Sequence, residues 1–286
     1  MDRRHFLRSS ALGSAALAST SPLSASTTNR VGVTDWTIGG MAQLKALDLA
    51  AEIGLQGVQV SITPEPTEDQ YDLRQADDQK ALQEKSAATG IAIASTAMGI
   101  FNKRPFKEVP EAVEWATQGV EATADLGKNV MLMAFFGKND LKHDTEGTAE
   151  TIKRLKAVAP IAEDKGVILG LETTLSADEH LHIINAVNSP AVQVYYDLGN
   201  SHRNGYDINT EIRQLGRELI CEVHCKDSGT GLFGVGEVNF PTAGEALSEI
   251  GYDSWYILEG KAGKGLTMLD TLAKNDALLR KSGFAD

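Results

Sequence analysis

The chain has 286 residues and a formal net charge of −12, with 27 Lys and Arg against 39 Asp and Glu. Hydrophobic residues make up 42% and charged residues 23%. That balance excludes a disordered or fibrous chain and suits one large core or two small ones. An acidic body repels phosphate backbones, so no nucleic-acid partner is expected, and two cysteines cannot build a disulfide framework.

Residues 1–25 read as a separate unit. Arg3, Arg4 and Arg8 open the chain, and an Ala-, Leu- and Ser-rich stretch follows with no acidic residue before Asp35. Ala16-Leu17-Ala18 and Ser24-Ala25 offer cleavage positions, which is the grammar of a signal peptide. Arg3-Arg4-His5-Phe6-Leu7-Arg8 resembles a twin-arginine motif. The resemblance implies the twin-arginine export machinery as a partner and a periplasmic or otherwise exported location. The apolar part falls short of the ~20 residues needed to span a bilayer, and no cysteine follows it, so no stable membrane anchor is expected. Without residues 1–25 the chain carries 24 basic and 38 acidic residues, a net charge of −14. Residues 26–286 are expected to form one domain.

Short runs rich in Val, Ile, Leu and Met then alternate with amphipathic ones. Strands are predicted over Val31–Thr37, Gly57–Ile62, Ile91–Thr96, Val130–Phe135, Val167–Glu172, Val192–Asp197, Leu219–Lys226 and Trp255–Glu259. Helices are predicted over Met41–Ile53, Asp77–Thr89, Glu111–Leu126, Thr148–Asp164, Ala177–Val187, Asn209–Leu215, Thr242–Ile250 and Thr267–Lys281. Gly54, Gly90, Gly127, Gly166, Gly216 and Gly251 each stand between a helix and the next strand, where a left-handed residue ends a helix. Eight such pairs predict a (β/α)8 TIM barrel of ordinary size. The rival is a doubly wound open sheet, but no G-x-G-x-x-G follows the first strand. The glycine-rich loop at Gly231, Gly234 and Gly236 reads either as a phosphate cradle or simply as a turn.

Four strands end in residues that ligate hard metals: Glu172, Asp197, His224 and Glu259. Side chains alternate along a strand. On the fifth strand Val167, Leu169 and Leu171 suit the helix layer, so Glu172 points inward. The same parity turns Tyr195 and Asp197 inward on the sixth strand. On the seventh it turns Glu222, His224 and Lys226 inward and leaves Cys221, Val223 and Cys225 outward. Glu259 points inward on the eighth. The four residues thus converge at the C-terminal mouth, where barrel active sites are built. Three carboxylates without a cation would repel one another. With one imidazole they suit Mn²⁺ first, then Mg²⁺, Co²⁺ or Zn²⁺. Cys221 and Cys225 are spaced too far along one strand for a disulfide.

The segments Gly170-Leu-Glu-Thr, Tyr196-Asp-Leu-Gly-Asn-Ser-His, His224-Cys-Lys-Asp, Gly234-Val-Gly-Glu-Val-Asn-Phe and Leu258-Glu-Gly carry a resemblance. From Val31 onward the chain resembles the sugar phosphate isomerase/epimerase group of the xylose isomerase-like barrels, which includes ketose 3-epimerases. The resemblance implies one divalent metal held by Glu172, Asp197, His224 and Glu259, and a small-molecule carbohydrate as substrate. It also leaves room for a homo-oligomer. The family's substrate-contacting His, three residues after the aspartate, is replaced by Asn200, with His202 two positions on. Asp178 stands where ketose epimerases often carry a Glu, and Thr230 stands where an Arg is usual.

The implied chemistry is proton abstraction beside a carbonyl, through an enediolate, with Glu172 and Glu259 as the catalytic pair on opposite sides of the sugar. Lys226 is expected to hold a substrate oxygen or to pair with Glu222 or Asp227. Trp36 is expected to stack on a sugar face or to belong to the core. Asp178, Asn200, His202 and Asp227 complete the candidate substrate-binding set. The same first step could serve a lyase acting on 3-keto-glycosides, and an exported enzyme meets unphosphorylated sugars more readily than sugar phosphates. A non-catalytic sugar-binding protein is a third reading, although simple sugar binding needs no metal ligands. Six histidines, with His5, His143, His180 and His182 away from the predicted strand ends, do not furnish the three-metal site of the related endonuclease IV barrel.

Overall fold

The computed structural model describes residues 30–285, so residues 1–25, read above as a signal peptide, lie outside it, as do residues 26–29 and 286. Eight parallel strands close into a barrel in sequence order: β1 (Arg30–Thr34), β2 (Gly57–Ser61), β3 (Ala92–Met98), β4 (Val130–Ala134), β5 (Ile168–Glu172), β6 (Val192–Asp197), β7 (Ile220–Cys225) and β8 (Trp255–Leu258). Pairing of β1 with β8 through Val31↔Tyr256 and Gly32↔Ile257 closes the ring and excludes an open sheet.

Among the described residues ten α-helices lie between and after the strands: α1 (Asp35–Ile38), α2 (Lys45–Glu52), α3 (Ala76–Thr89), α4 (Ala112–Asp125), α5 (Thr145–Lys165), α6 (Ala177–Val187), α7 (Leu198–Arg203), α8 (Ile208–Leu219), α9 (Phe240–Glu249) and α10 (Met268–Lys281). The six glycines predicted to end helices all adopt positive φ, between 67° and 78°. Gly216 breaks the helical backbone inside α8, near the end predicted for that helix. The first strand stops three residues early, because the Thr34 hydroxyl accepts the Thr37 N–H and caps α1. That early turn carries Trp36 out of the sheet and into the mouth. α7 has no counterpart among the helices predicted from the sequence; the Asp197 side chain starts it by accepting the Asn200 N–H at 2.7 Å.

The main core fills the layer between strands and helices, with Val33, Val58, Leu169, Val194 and Val223 fully buried. A smaller core inside the barrel joins Ala97, Leu132, Ala134, Tyr195 and Cys221. Cys221 corrects the outward parity expected of it. Register slips between Val194↔Ile220 and Tyr195↔Glu222, leaving one extra residue on β7. This bulge turns both Cys221 and Glu222 toward the barrel axis, as extra residues re-aim side chains. Cys225 keeps the expected outward place in the larger core, and both cysteines are free and buried. Gly170 makes room for the arrangement, since a Cβ there would stand 2.8 Å from Cys221 Sγ and 3.2 Å from Tyr195 Cδ2. Among the described residues no helix is long and apolar enough to cross a membrane.

Candidate metal centre and substrate cavity

The closing turns of four consecutive strands bring Glu172, Asp197, His224 and Glu259 together. One ligand atom from each lies within 4.8 Å of the others. Asp197 pairs across the sheet with His224, His224 with Ile257, and the Glu259 N–H reaches the Cys225 carbonyl at 3.0 Å, so sheet register fixes three of the four. His224 Nδ1 faces the carboxylates, 3.1 Å from Glu172 Oε1, 3.5 Å from Glu259 Oε2 and 4.0 Å from Asp197 Oδ2. His224 is fully buried, and Glu172 and Asp197 are nearly so.

The electrostatics fit a cation. Burial, with help from Glu172 and Glu259, pushes the Asp197 carboxyl up to about 7 despite the opposing pull of Lys226. Burial works to lower the His224 imidazole, but Glu172, Glu259 and Asp197 together raise it above its ordinary value. Burial also works to raise Glu259, yet Lys226, His224 and the Trp36 N–H prevail and hold it at about 2. Three hard oxygen donors and one imidazole nitrogen, packed this closely and this dry, could hold a divalent cation.

The other expected residues separate into those that the fold brings here and those that it does not. Trp36 Nε1 donates to Glu259 Oε1 at 3.1 Å, and its ring meets His224 edge-on at 6.1 Å. Lys226 Nζ donates to Glu259 Oε2 at 2.5 Å and Asp197 Oδ2 at 3.4 Å, so its partners are two carboxylates of the cluster rather than Glu222 or Asp227. Asn200 Nδ2 lies 3.4 Å from Glu172 Oε1. Asp227 is buried at the edge of the site and accepts backbone N–H groups of Ser228, Gly234, Gly236 and Val238. The glycine-rich loop therefore wraps a carboxylate; a Cβ on Gly236 would fall 2.3 Å from Asp227 Oδ1. His202 points elsewhere, 3.9 Å from Glu237 Oε2. Asp178 lies in the exposed first turn of α6, where it accepts from Gln214 of α8 at 2.5 Å. Helix α6 starts at Ala177, so Asp178 is carried into the helix layer and away from the cluster.

Two hollows that share Trp36, Arg203, Lys226 and Glu259 in their walls open over the cluster. One, of about 550 Å³, has Glu172, Asn200, Lys226 and Glu259 on its polar side and Trp36 and Phe136 on its apolar side. The other, of about 430 Å³, runs past Trp36 toward Asp227, Thr230 and Lys261. Arg203 lines both, and Lys103 lines the first. Neither cation was singled out from sequence, because each sits on a connection outside the strand ends where parity can be read.

A closed eight-stranded barrel with a buried carboxylate–histidine cluster at its C-terminal mouth defines the class: a barrel enzyme scaffold with a candidate metal centre. Residues 47–281 match the model of the xylose isomerase-like TIM barrel family, and the chain belongs to that family. Its curated relatives include the L-ribulose-5-phosphate 3-epimerase UlaE of Salmonella typhi, 26% identical over 241 residues, covering 77% of this chain and 82% of the relative. The 2-epi-5-epi-valiolone 7-phosphate 2-epimerase of an Actinoplanes species is 25% identical over 205 residues, covering 70% and 73%. Among solved structures, the D-allulose 3-epimerase of a Methylomonas species in complex with D-allulose superposes with a TM-score of 0.72 at 16% identity, covering 89% of this chain and 97% of that one. These two curated relatives are epimerases.

Proposed function

We propose that the protein is a divalent-metal-dependent sugar epimerase or isomerase. The observation that carries this reading is the convergence of Glu172, Asp197, His224 and Glu259 under a sugar-sized cavity. The epimerase relatives support it at the level of the reaction class. Mn²⁺ is the metal we favour from the donor set, and when bound it supplies Lewis-acid polarisation of a substrate carbonyl.

The chain's own residues do the rest. Glu259, ionised and fixed by Trp36 and Lys226, and Glu172, beside Asn200, hold carboxylate oxygens toward the same space. One carboxylate takes the proton from the carbon next to the carbonyl. The other returns a proton to the opposite face, which inverts that carbon. Lys226 and Asn200 are placed to bind substrate hydroxyls, and Trp36 and Phe136 to cover the apolar face of the ring. Following the twin-arginine reading of residues 1–25, we propose that the enzyme is exported and acts on an unphosphorylated ketose. Replacing Glu172 or Glu259 with Gln is expected to lower turnover at least 100-fold while leaving the circular-dichroism spectrum unchanged. Wild-type-like turnover in either variant would refute the two-carboxylate mechanism.

A further inference from the structure

A chain of buried hydrogen bonds runs beneath the metal centre, outside the ligand set. Glu222 Oε2 accepts from Ser95 Oγ at 2.6 Å and from the Tyr195 hydroxyl at 2.9 Å. Both hydroxyl protons are therefore committed to the carboxylate, and both hydroxyls turn their lone pairs to Gln59. The Gln59 amide nitrogen donates to Ser95 Oγ at 3.0 Å and to Tyr195 Oη at 2.9 Å. Its carbonyl oxygen is left facing His224 Nε2 at 2.9 Å. Every member is at most 1% exposed, so water cannot substitute for a missing partner. With Glu222 ionised, turning the amide over would draw both hydroxyl protons away from it and leave a buried carboxylate without donors, which is the costlier state.

The order of donors is thus set from one end. A carbonyl oxygen can only accept, so His224 must carry its proton on Nε2. Nδ1, 3.1 Å from the acceptor Glu172 Oε1, carries a proton only while the ring is an imidazolium; in the neutral ring its lone pair faces Glu172, Glu259 and Asp197. Two strand irregularities place the parts. The β2–β3 register shifts between Val58 and Val60, next to Gln59 and opposite Ser95, and the β7 bulge at Cys221 lies beside Glu222.

We infer that Gln59 is a positioning residue. It fixes His224 as the Nε2–H tautomer and aims the Nδ1 lone pair at the cation, with Glu222, through Ser95 and Tyr195, fixing Gln59. This rests on the metal reading of the site. The test uses the wild-type protein, Gln59→Leu, and the double variant Ser95→Ala/Tyr195→Phe, which leaves the Gln59 carbonyl present but unpinned. Each is labelled with ¹⁵N-histidine. Mn²⁺ affinity is measured by calorimetry, and the His224 ring nitrogens are followed by NMR in the Zn²⁺-loaded protein. A second set of spectra is taken on metal-free protein at a pH that leaves His224 neutral. Gln59→Leu should bind Mn²⁺ 10–100-fold more weakly, the usual cost of losing a partner behind a ligand. Its Nε2–H should exchange faster, and its metal-free spectrum should gain the Nδ1–H form. The double variant should move in the same direction. An unchanged tautomer and affinity in Gln59→Leu, or an Nδ1–H tautomer in the wild type, would overturn the inference. If the wild type bound no Mn²⁺, the metal reading would fail instead, and the metal-free spectra would still decide the tautomer.

Discussion

Asp35 offers a test of how this barrel handles buried charge. It is fully buried at the start of α1, and among the described residues it forms no ion pair. It accepts from the Ala42 N–H at 2.9 Å, the Ser61 N–H and hydroxyl at 2.7 Å each, and the Tyr71 hydroxyl at 3.3 Å. Burial outweighs those four donors and raises its carboxyl from 3.8 to about 6. The folded protein therefore binds this proton more tightly than the unfolded chain does. The ionised group costs stability above about pH 6, and the cost fades as pH falls toward the unfolded value. The full cost is roughly 3 kcal/mol, with about half of it present at pH 5. In Asp35→Asn the amide oxygen can keep the two backbone bonds while its nitrogen turns to the Ser61 oxygen. The variant should gain up to about 3 kcal/mol at pH 8 and roughly half that at pH 5, read by urea denaturation at both values. A variant that is less stable than wild type at pH 8, or one whose gain does not change with pH, would refute the reasoning.

Two further outcomes follow from the same contacts. Mn²⁺ at 100 times its dissociation constant should stabilise the fold by about 2.7 kcal/mol, a rise of roughly 5–10 °C in melting temperature, and EDTA should reverse it. The same scan on Asp197→Asn should show a much smaller rise. Gly199→Ala puts a methyl 2.8 Å from the Lys226 carbonyl oxygen and 3.0 Å from its Cβ, where α7 meets the end of β7. The backbone has to give way, at about 1–3 kcal/mol, and Mn²⁺ affinity should fall as Asp197 moves. Denaturation and calorimetry on that variant check both effects.

Much of this arrangement is legible in the sequence because a strand repeats every two residues. Leu169 and Leu171 assign one face of β5, and the inward Glu172 follows from that assignment alone. The same holds for Asp197, His224 and Glu259, and the positive-φ glycines mark where the helices stop. What could not be read depends on pairing between distant residues. The parity of Cys221 fails because the β6–β7 register slips by one residue, and no local property of that strand announces it. Gln59 looks like an ordinary polar residue until it meets His224, 165 positions away. The resemblance puts Asp178 in the substrate-binding set, but the Ser176 cap starts α6 first and commits the acid to the helix layer. Lys226 was aimed correctly by parity, whereas its choice of Glu259 over Glu222 depends on how deep in the barrel each carboxylate sits.

The most direct test of the account is proton exchange. Mn²⁺-loaded protein is incubated with a panel of unphosphorylated and phosphorylated ketoses in D₂O, and products are followed by NMR. The account predicts metal-dependent deuterium incorporation at the carbon beside the carbonyl, with an intact sugar epimerised or isomerised there, and no incorporation in Glu259→Gln. Exchange that persists in EDTA, or turnover without solvent deuterium in the product, would contradict it.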